Sequence, residues 1–218
     1  MKIRTYALIT FFLLFSHLSW SNLSGDAKVK ANEQNKNKII SFPLADTSYL
    51  GKYQADTVLL LMGSRYEVYA IHENETLARK AILAGISEIQ RIENLISSWD
   101  PNSQTSLINK NAGIKPVAVD RELYDLIYRC KKVSELTDGA FDISFGPLGS
   151  LWDINQPHTQ IPEQTTIDSA LLLVNYQNIT MDTAQQTVFL KQKGMKIGFG
   201  AIGKGYSANR AKQVMQTM

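Results

Sequence analysis

The chain has 218 residues, 44% of them apolar and 20% charged, a composition that excludes a disordered protein and allows a folded core. At roughly 150 residues per domain, one domain is the default. Formal charge is +3, but taking Lys2 and Arg4 away with a leader leaves 21 of the 23 basic side chains against 20 acidic ones, which excludes a nucleic-acid binder running on a strong basic field.

The first residues read as an export signal. Met1 to Arg4 is a short basic start, Tyr6 to Phe15 an apolar run, and Ser19 and Ser21 put small residues at the −3 and −1 positions for cleavage after Ser21. The run is well short of the ~20 apolar residues a bilayer crossing needs. No cysteine lies near the cleavage position to take a lipid, so residues 1–21 are expected to leave a product exported to the periplasmic side of the inner membrane. Residues 22–41, polar and rich in lysine and asparagine, read as a flexible linker, and 42–218 as the domain.

Strand-like runs at Thr57–Met62 and Tyr66–Ile71, separated by Gly63-Ser64-Arg65, predict a hairpin. Apolar residues at three- and four-residue spacing predict a helix over Glu75–Ser98, with Asn74 as its cap and the turn at Trp99-Asp100-Pro101-Asn102 as its end. Ser103 caps a short helix to Lys110, and Pro116–Val119 is extended. Asp120 caps a second long helix, which ends at Thr137-Asp138-Gly139. Cys130, the only cysteine, falls on its stripe Leu123, Leu126, Ile127, Cys130, Val133, and so reads as a buried, inert thiol. Pro162 opens a helix through Val174; strands follow at Asn178–Met181 and Thr187–Lys191, then another at Lys196–Phe199. A last helix runs on to Met218 without a capping signal.

Two segments carry possible chemistry. Gly198-Phe199-Gly200-Ala201-Ile202-Gly203-Lys204-Gly205 opens a helix, where backbone N–H groups converge on phosphate. It fits G-x-G-x-x-G in one reading and nearly fits a P-loop in another, though Gly205 lacks the hydroxyl that would hold magnesium. A tight turn needing glycine for positive φ explains the same letters. In the second segment, Asp138 to Leu148, Phe141 and Phe145 could stack on a flat ring and Asp142 could accept hydrogen bonds from it; a packed loop with an Asx turn is the other reading. His17 leaves with the leader, and His72 and His158 have no partner at metal-ligand spacing.

Taken together, five ordered blocks make the chain resemble the flavin transferase (ApbE) family. They are Leu61-Met62-Gly63-Ser64; Leu95 to Trp99; Ser103 to Asn109; Asp138 to Asp142 with Gly146-Pro147-Leu148 and Trp152; and Gly200 to Tyr206. The fold that this resemblance implies is α/β (α+β), a mixed sheet flanked by helices. The activity it implies is that of an exported, magnesium-dependent FAD:protein FMN transferase, joining the FMN half of FAD to a threonine hydroxyl of another protein and releasing AMP. Acceptors would be flavin-carrying subunits of membrane redox complexes. Met62, Trp99, Ala140, Phe141 and Asp142 are implied flavin contacts, Lys204 lies beside FAD, and Ala201 gives magnesium a backbone carbonyl.

The chain departs from the pattern at Gly198, a cofactor-contact position where many members carry Asp, and at Asn209, where they also carry Asp. It is also short for the family, and the acidic and threonine magnesium ligands and the candidate base would lie beyond Met218. A truncated chain of this kind is expected to show very weak transfer by itself. A non-catalytic FAD-binding carrier, an FAD pyrophosphatase and a P-loop nucleotide hydrolase are the competing readings.

Overall fold

The computed structural model describes Ile9–Thr10 and residues 53–152 and 161–218. The linker and His158 lie outside the described residues, as does the leader apart from Ile9–Thr10. The chain divides into two units, residues 1–93 with 202–218, and residues 94–201. The fold is α/β, with small antiparallel sheets flanked by helices.

In the first unit, β1 (Ile9–Thr10), β2 (Tyr53–Leu61) and β3 (Ser64–His72) form a sheet in the order β1-β3-β2. The hairpin between β2 and β3 turns on Met62 and Gly63, with φ of 50° and 67°. Two left-handed residues match the right-handed twist of the strands, a geometry that usually takes Asn-Gly. Alternate residues of β3, Tyr66, Val68 and Ala70, face the core. Helix α1 (Glu75–Ile96) starts where the Asn74 side chain accepts from the Leu77 N–H. It buries Ala78, Ala81, Ile82 and Ile89 in the same cluster, which α6 (Gly203–Met215) completes with Ala211 and Met215. A Cβ on Gly85 would stand 2.7 Å from the Met215 sulfur, so the glycine lets α6 approach α1. Across that contact Glu88 accepts from both Arg91 and Arg210, and the charge-assisted bonds to Arg91, with the Arg210 charge, hold its carboxyl below the usual carboxylate range.

In the second unit α2 (Gln104–Lys110) is capped by Ser103, whose Oγ accepts from the Ser106 N–H. β4 (Val117–Ala118), β5 (Ile179–Asp182) and β6 (Thr187–Leu190) form an antiparallel sheet in the order β4-β6-β5. α3 (Arg121–Leu136) buries Leu123, Leu126, Ile127 and Cys130. The next buried position is Ser134, four residues on, while Val133 is 42% exposed; the stripe follows the 3.6-residue turn and passes Val133 by. The Cys130 thiol is buried as expected, and burial pushes its pKa up to about 12. α4 (Gly146–Gly149), α5 (Gln164–Leu171) and a 3₁₀ turn at Tyr176–Asn178 complete the unit.

Several local expectations fail: the helix expected from Pro162 through Val174 spans only Gln164–Leu171, and Ser64 and Arg65, expected in the hairpin turn, belong to β3. Asp120 precedes α3 but makes no side-chain cap, because Gln104 claims it: Gln104 Nε2 donates to the Asp120 carboxylate, and the Asp120 N–H donates to Gln104 Oε1. Residues 196–199 are not a strand; a single parallel bridge joins Lys196 to Phe145. Finally, α6 ends at Met215 with Gln216 as its C-cap. No helix among the described residues is long and apolar enough to cross a membrane.

Candidate functional site

The first unit brings Met62 and Lys204 together through two buried hydroxyls. The Met62 N–H donates to Glu93 Oε1 at 3.0 Å, and its sulfur lies 3.1 Å from the Tyr66 hydroxyl. That hydroxyl is 2.9 Å from Ser207 Oγ, which in turn donates to the Lys204 carbonyl at 2.9 Å. Both Tyr66 and Ser207 are fully enclosed, and desolvation, with the nearby Glu93 charge adding to it, raises the phenol above its ordinary value despite the bond to Ser207. Lys204 sits half-buried in the first turn of α6, a helix whose start no side chain caps. Sequence reasoning missed Tyr66, Ser207 and Glu93; only the strand alternation of Tyr66 hinted at its burial.

The second unit builds a loop around Asp142. α3 ends in a Schellman motif, with Gly139 N–H donating to the Ser134 carbonyl and Asp138 at φ 51°. Asp142 Oδ1 then accepts from the Ser144 N–H and hydroxyl, both at 2.7 Å, and Oδ2 from the Tyr176 N–H at 2.8 Å. A carboxylate offers about four lone-pair positions, so an Asx turn and a tie to residue 176 take most of them. Ala140 and Phe141 precede this anchor, Ala140 exposed and Phe141 half-buried. Phe145 follows it, partly exposed, with its ring edge against Gly198 and Gly200.

The glycines here divide by cause. At Gly146 a Cβ would stand 2.6 Å from Lys196 Cβ and 2.7 Å from its carbonyl, so packing requires glycine. Gly198 and Gly200 have only ordinary contacts at 3.6 and 3.8 Å, and Gly205 has nothing within 4 Å. None of Gly198, Gly200, Gly203 or Gly205 is among the positive-φ residues, so the tight-turn explanation fails. Neither φ nor packing calls for glycine at Gly198, Gly200 or Gly205.

Trp99 is 84% exposed on a firmly tied turn. Ser97 Oγ accepts from the Trp99 and Asp100 N–H groups, Asp100 Oδ1 accepts from the Asn102 N–H, and the Ser103 hydroxyl donates to the Ser97 carbonyl. A large ring held out on rigid backbone offers a stacking face at little entropic cost.

Magnesium fits less well. Among the described residues no three His, Cys, Asp or Glu side chains gather where a metal could sit, and exposed Ala201 offers only its main-chain carbonyl. Magnesium takes an octahedral set of oxygens, so the described residues do not make its site by themselves.

Comparison with known proteins follows the same residues. Residues 62–218 match the model of the ApbE family. A FAD:protein FMN transferase of Klebsiella pneumoniae is 34% identical over 157 residues, covering 72% of this chain and 48% of the relative. One from Treponema pallidum is 31% identical over 132 residues, covering 58% and 36%. The crystal structure of an ApbE protein from Thermotoga maritima superposes with a TM-score of 0.70 at 29% identity, over 76% of this chain and 53% of that one. The flavin transferase ApbE of Vibrio cholerae, at 18% identity and a TM-score of 0.66, shares the fold. The chain spans about half the length of the curated relatives it matches, or less.

Proposed function

The chain belongs to the ApbE family, and from that premise we propose that the protein carrying this sequence is a FAD:protein FMN transferase. In the proposed reaction a threonine Oγ of an acceptor protein bonds to the FMN phosphorus as the bond to the AMP oxygen breaks. The hydroxyl proton leaves to a base, and AMP is released. Acceptors are flavin-carrying subunits of membrane redox complexes. Magnesium dependence belongs to the proposal, with oxygen ligands besides the Ala201 carbonyl. So does export to the periplasmic side, supported by the charge and hydropathy of residues 1–21.

The observation that carries the reading is the set Gly198, Gly200 and Gly205, glycines that neither φ nor packing explains. The start of α6, which no side chain caps, suits a diphosphate. In the second unit Trp99, Ala140, Phe141, Asp142 and Gly198 are the proposed cofactor contacts, and in the first Met62 and Lys204. Asp142 acts there by shaping the loop, since its carboxylate is bound to Ser144 and the Tyr176 N–H.

Titrating FAD into the protein, followed by flavin fluorescence with and without magnesium, tests the reading. Saturable FAD binding is expected, and, once magnesium has its full set of oxygen ligands, fluorescent flavin is expected on a threonine-bearing acceptor but not on its threonine-to-alanine variant. Metal-independent binding without turnover would favour a carrier, and release of free FMN and AMP a pyrophosphatase. ATP binding lost in Lys204→Ala and indifferent to flavin would overturn it in favour of a nucleotide hydrolase.

A further inference from the structure

The contacts around Tyr66 join two places far apart in the chain. Its hydroxyl meets Met62 four residues away and Ser207 at a separation of 141 residues. Among the contacts here are Tyr66 to the Met62 sulfur, Tyr66 to Ser207, and Ser207 to the Lys204 carbonyl. The thioether is a weak acceptor and the carbonyl a strong one. The favoured arrangement therefore runs Tyr66 to Ser207 to Lys204, with the Met62 sulfur resting against the phenol oxygen.

Met62 is also strained. A non-glycine residue at φ 50° persists when its surroundings over-determine it, and here the Glu93 carboxylate fixes its N–H. Backbone is thus fixed by Glu93, and the side chain rests on the core cluster and the Tyr66 hydroxyl.

We infer that Tyr66 is a positioning residue: through Ser207 its hydroxyl sets the first turn of α6 at Lys204, and beside Met62 it sets the resting place of the thioether, so that both meet the flavin nucleotide already arranged. The inference rests on the functional reading above for its ligand, and on the hydrogen-bond chain alone for its geometry.

The test uses Tyr66→Phe and Ser207→Ala, which keep most of the buried volume. Each leaves the other hydroxyl a remaining partner, Lys204 carbonyl for Ser207 and the Met62 sulfur for Tyr66, so both variants are expected to fold. FAD affinity should fall about fivefold in either, the factor given by one buried hydrogen bond. The double variant should be little worse than the singles, since both break one chain. Met62→Leu should cost less affinity in the Tyr66→Phe background than in the wild type, and the absorbance band of bound flavin at saturation should differ between Tyr66→Phe and wild type. Amide exchange at residues 204–207, measured without ligand, should speed up in Tyr66→Phe. Additive effects in the Met62 cycle with an unchanged flavin band overturn the positioning role. Unchanged exchange overturns the hydrogen-bond chain on which it stands. A wild-type protein that fails to bind FAD removes the functional reading and with it the ligand, while the exchange result still decides the geometry.

Discussion

Asn109 holds Ile197 by both backbone groups: its Nδ2 donates to the Ile197 carbonyl at 3.0 Å, and the Ile197 N–H donates to its Oδ1 at 2.8 Å. The side-chain amide thus does for one residue what a neighbouring strand would do. The following residue is fixed by the Gly198 N–H donating to the Ile143 carbonyl at 2.9 Å, and together these contacts aim the glycine segment.

Asn109→Ala should therefore strand a donor and an acceptor at Ile197, which is fully buried. The expected loss is about 2–3 kcal/mol, read from urea denaturation. Asn109→Asp retains the acceptor and loses the donor, and should fall between alanine and wild type above pH 5. An alanine variant as stable as wild type would show that the amide carries no load.

The glycines at 146 and 198 should respond in opposite ways. Gly146→Ala drives a Cβ into the Lys196 main chain and should cost about 1–3 kcal/mol through overpacking. Gly198→Ala meets only van der Waals contacts at 3.6 Å and beyond, so its stability should be unchanged or up to about 1 kcal/mol higher. If the backbone at Gly198 serves FAD, the same substitution weakens FAD binding. Thermal melts and a flavin titration on the two variants measure both effects.

Trp99→Ala separates binding from stability. Its ring is exposed, so its removal should leave stability within about 0.5 kcal/mol of wild type. Losing a stacked aromatic contact of about 0.5–1.5 kcal/mol should weaken FAD by about two- to tenfold. Unchanged FAD affinity would take Trp99 out of the site.

Long periodic elements were legible in the sequence because their signal is local. The apolar spacing of residues 77–96 gives α1, and the two strand runs flanking Gly63 give the hairpin. What failed was decided by distant partners. Lys196 to Phe199 has a strand's apolar character, but an amide from α2 and the Ile143 carbonyl occupy its edges. Asp120 has the right identity for a cap, yet Gln104, sixteen residues earlier, takes it. The Asp142 loop stood between ring contact and Asx turn until its bonds to Ser144 and Tyr176 were placed. Nothing in the spacing could reveal that Tyr66 meets Ser207.

Cys130 gives a prediction at alkaline pH. Its thiol is raised by burial to about 12, against roughly 8.5 in an unfolded chain. The neutral form is favoured in the folded state, so its contribution to stability is complete below about pH 8.5 and is lost as pH rises towards 12. Wild type should lose more stability between pH 8 and 10 than Cys130→Ala, the comparison cancelling the titration of lysines and tyrosines. A thiol reagent at pH 8 should label the protein only in denaturant; rapid labelling of native protein would contradict the burial.

Glu88 gives the complementary prediction on the acid side. Its carboxyl is held below its ordinary value, first by the hydrogen bonds from Arg91, then by the Arg91 and Arg210 charges, with burial opposing them. A depressed folded-state value means that the stabilisation is present above the unfolded value of about 4.3 and disappears as pH falls through the lower folded value. Glu88→Gln should cost about 1–2 kcal/mol at pH 7, discounted because both arginines are partly exposed. The gap between variant and wild type should close as pH drops below about 4 and the wild-type carboxyl takes up its proton. It should narrow at high salt as well, since the arginine side of the network is open to screening. Denaturation curves from pH 7 to pH 3 supply the comparison, and a gap that stays constant over that range would mean that Glu88 acts through its volume and not its charge.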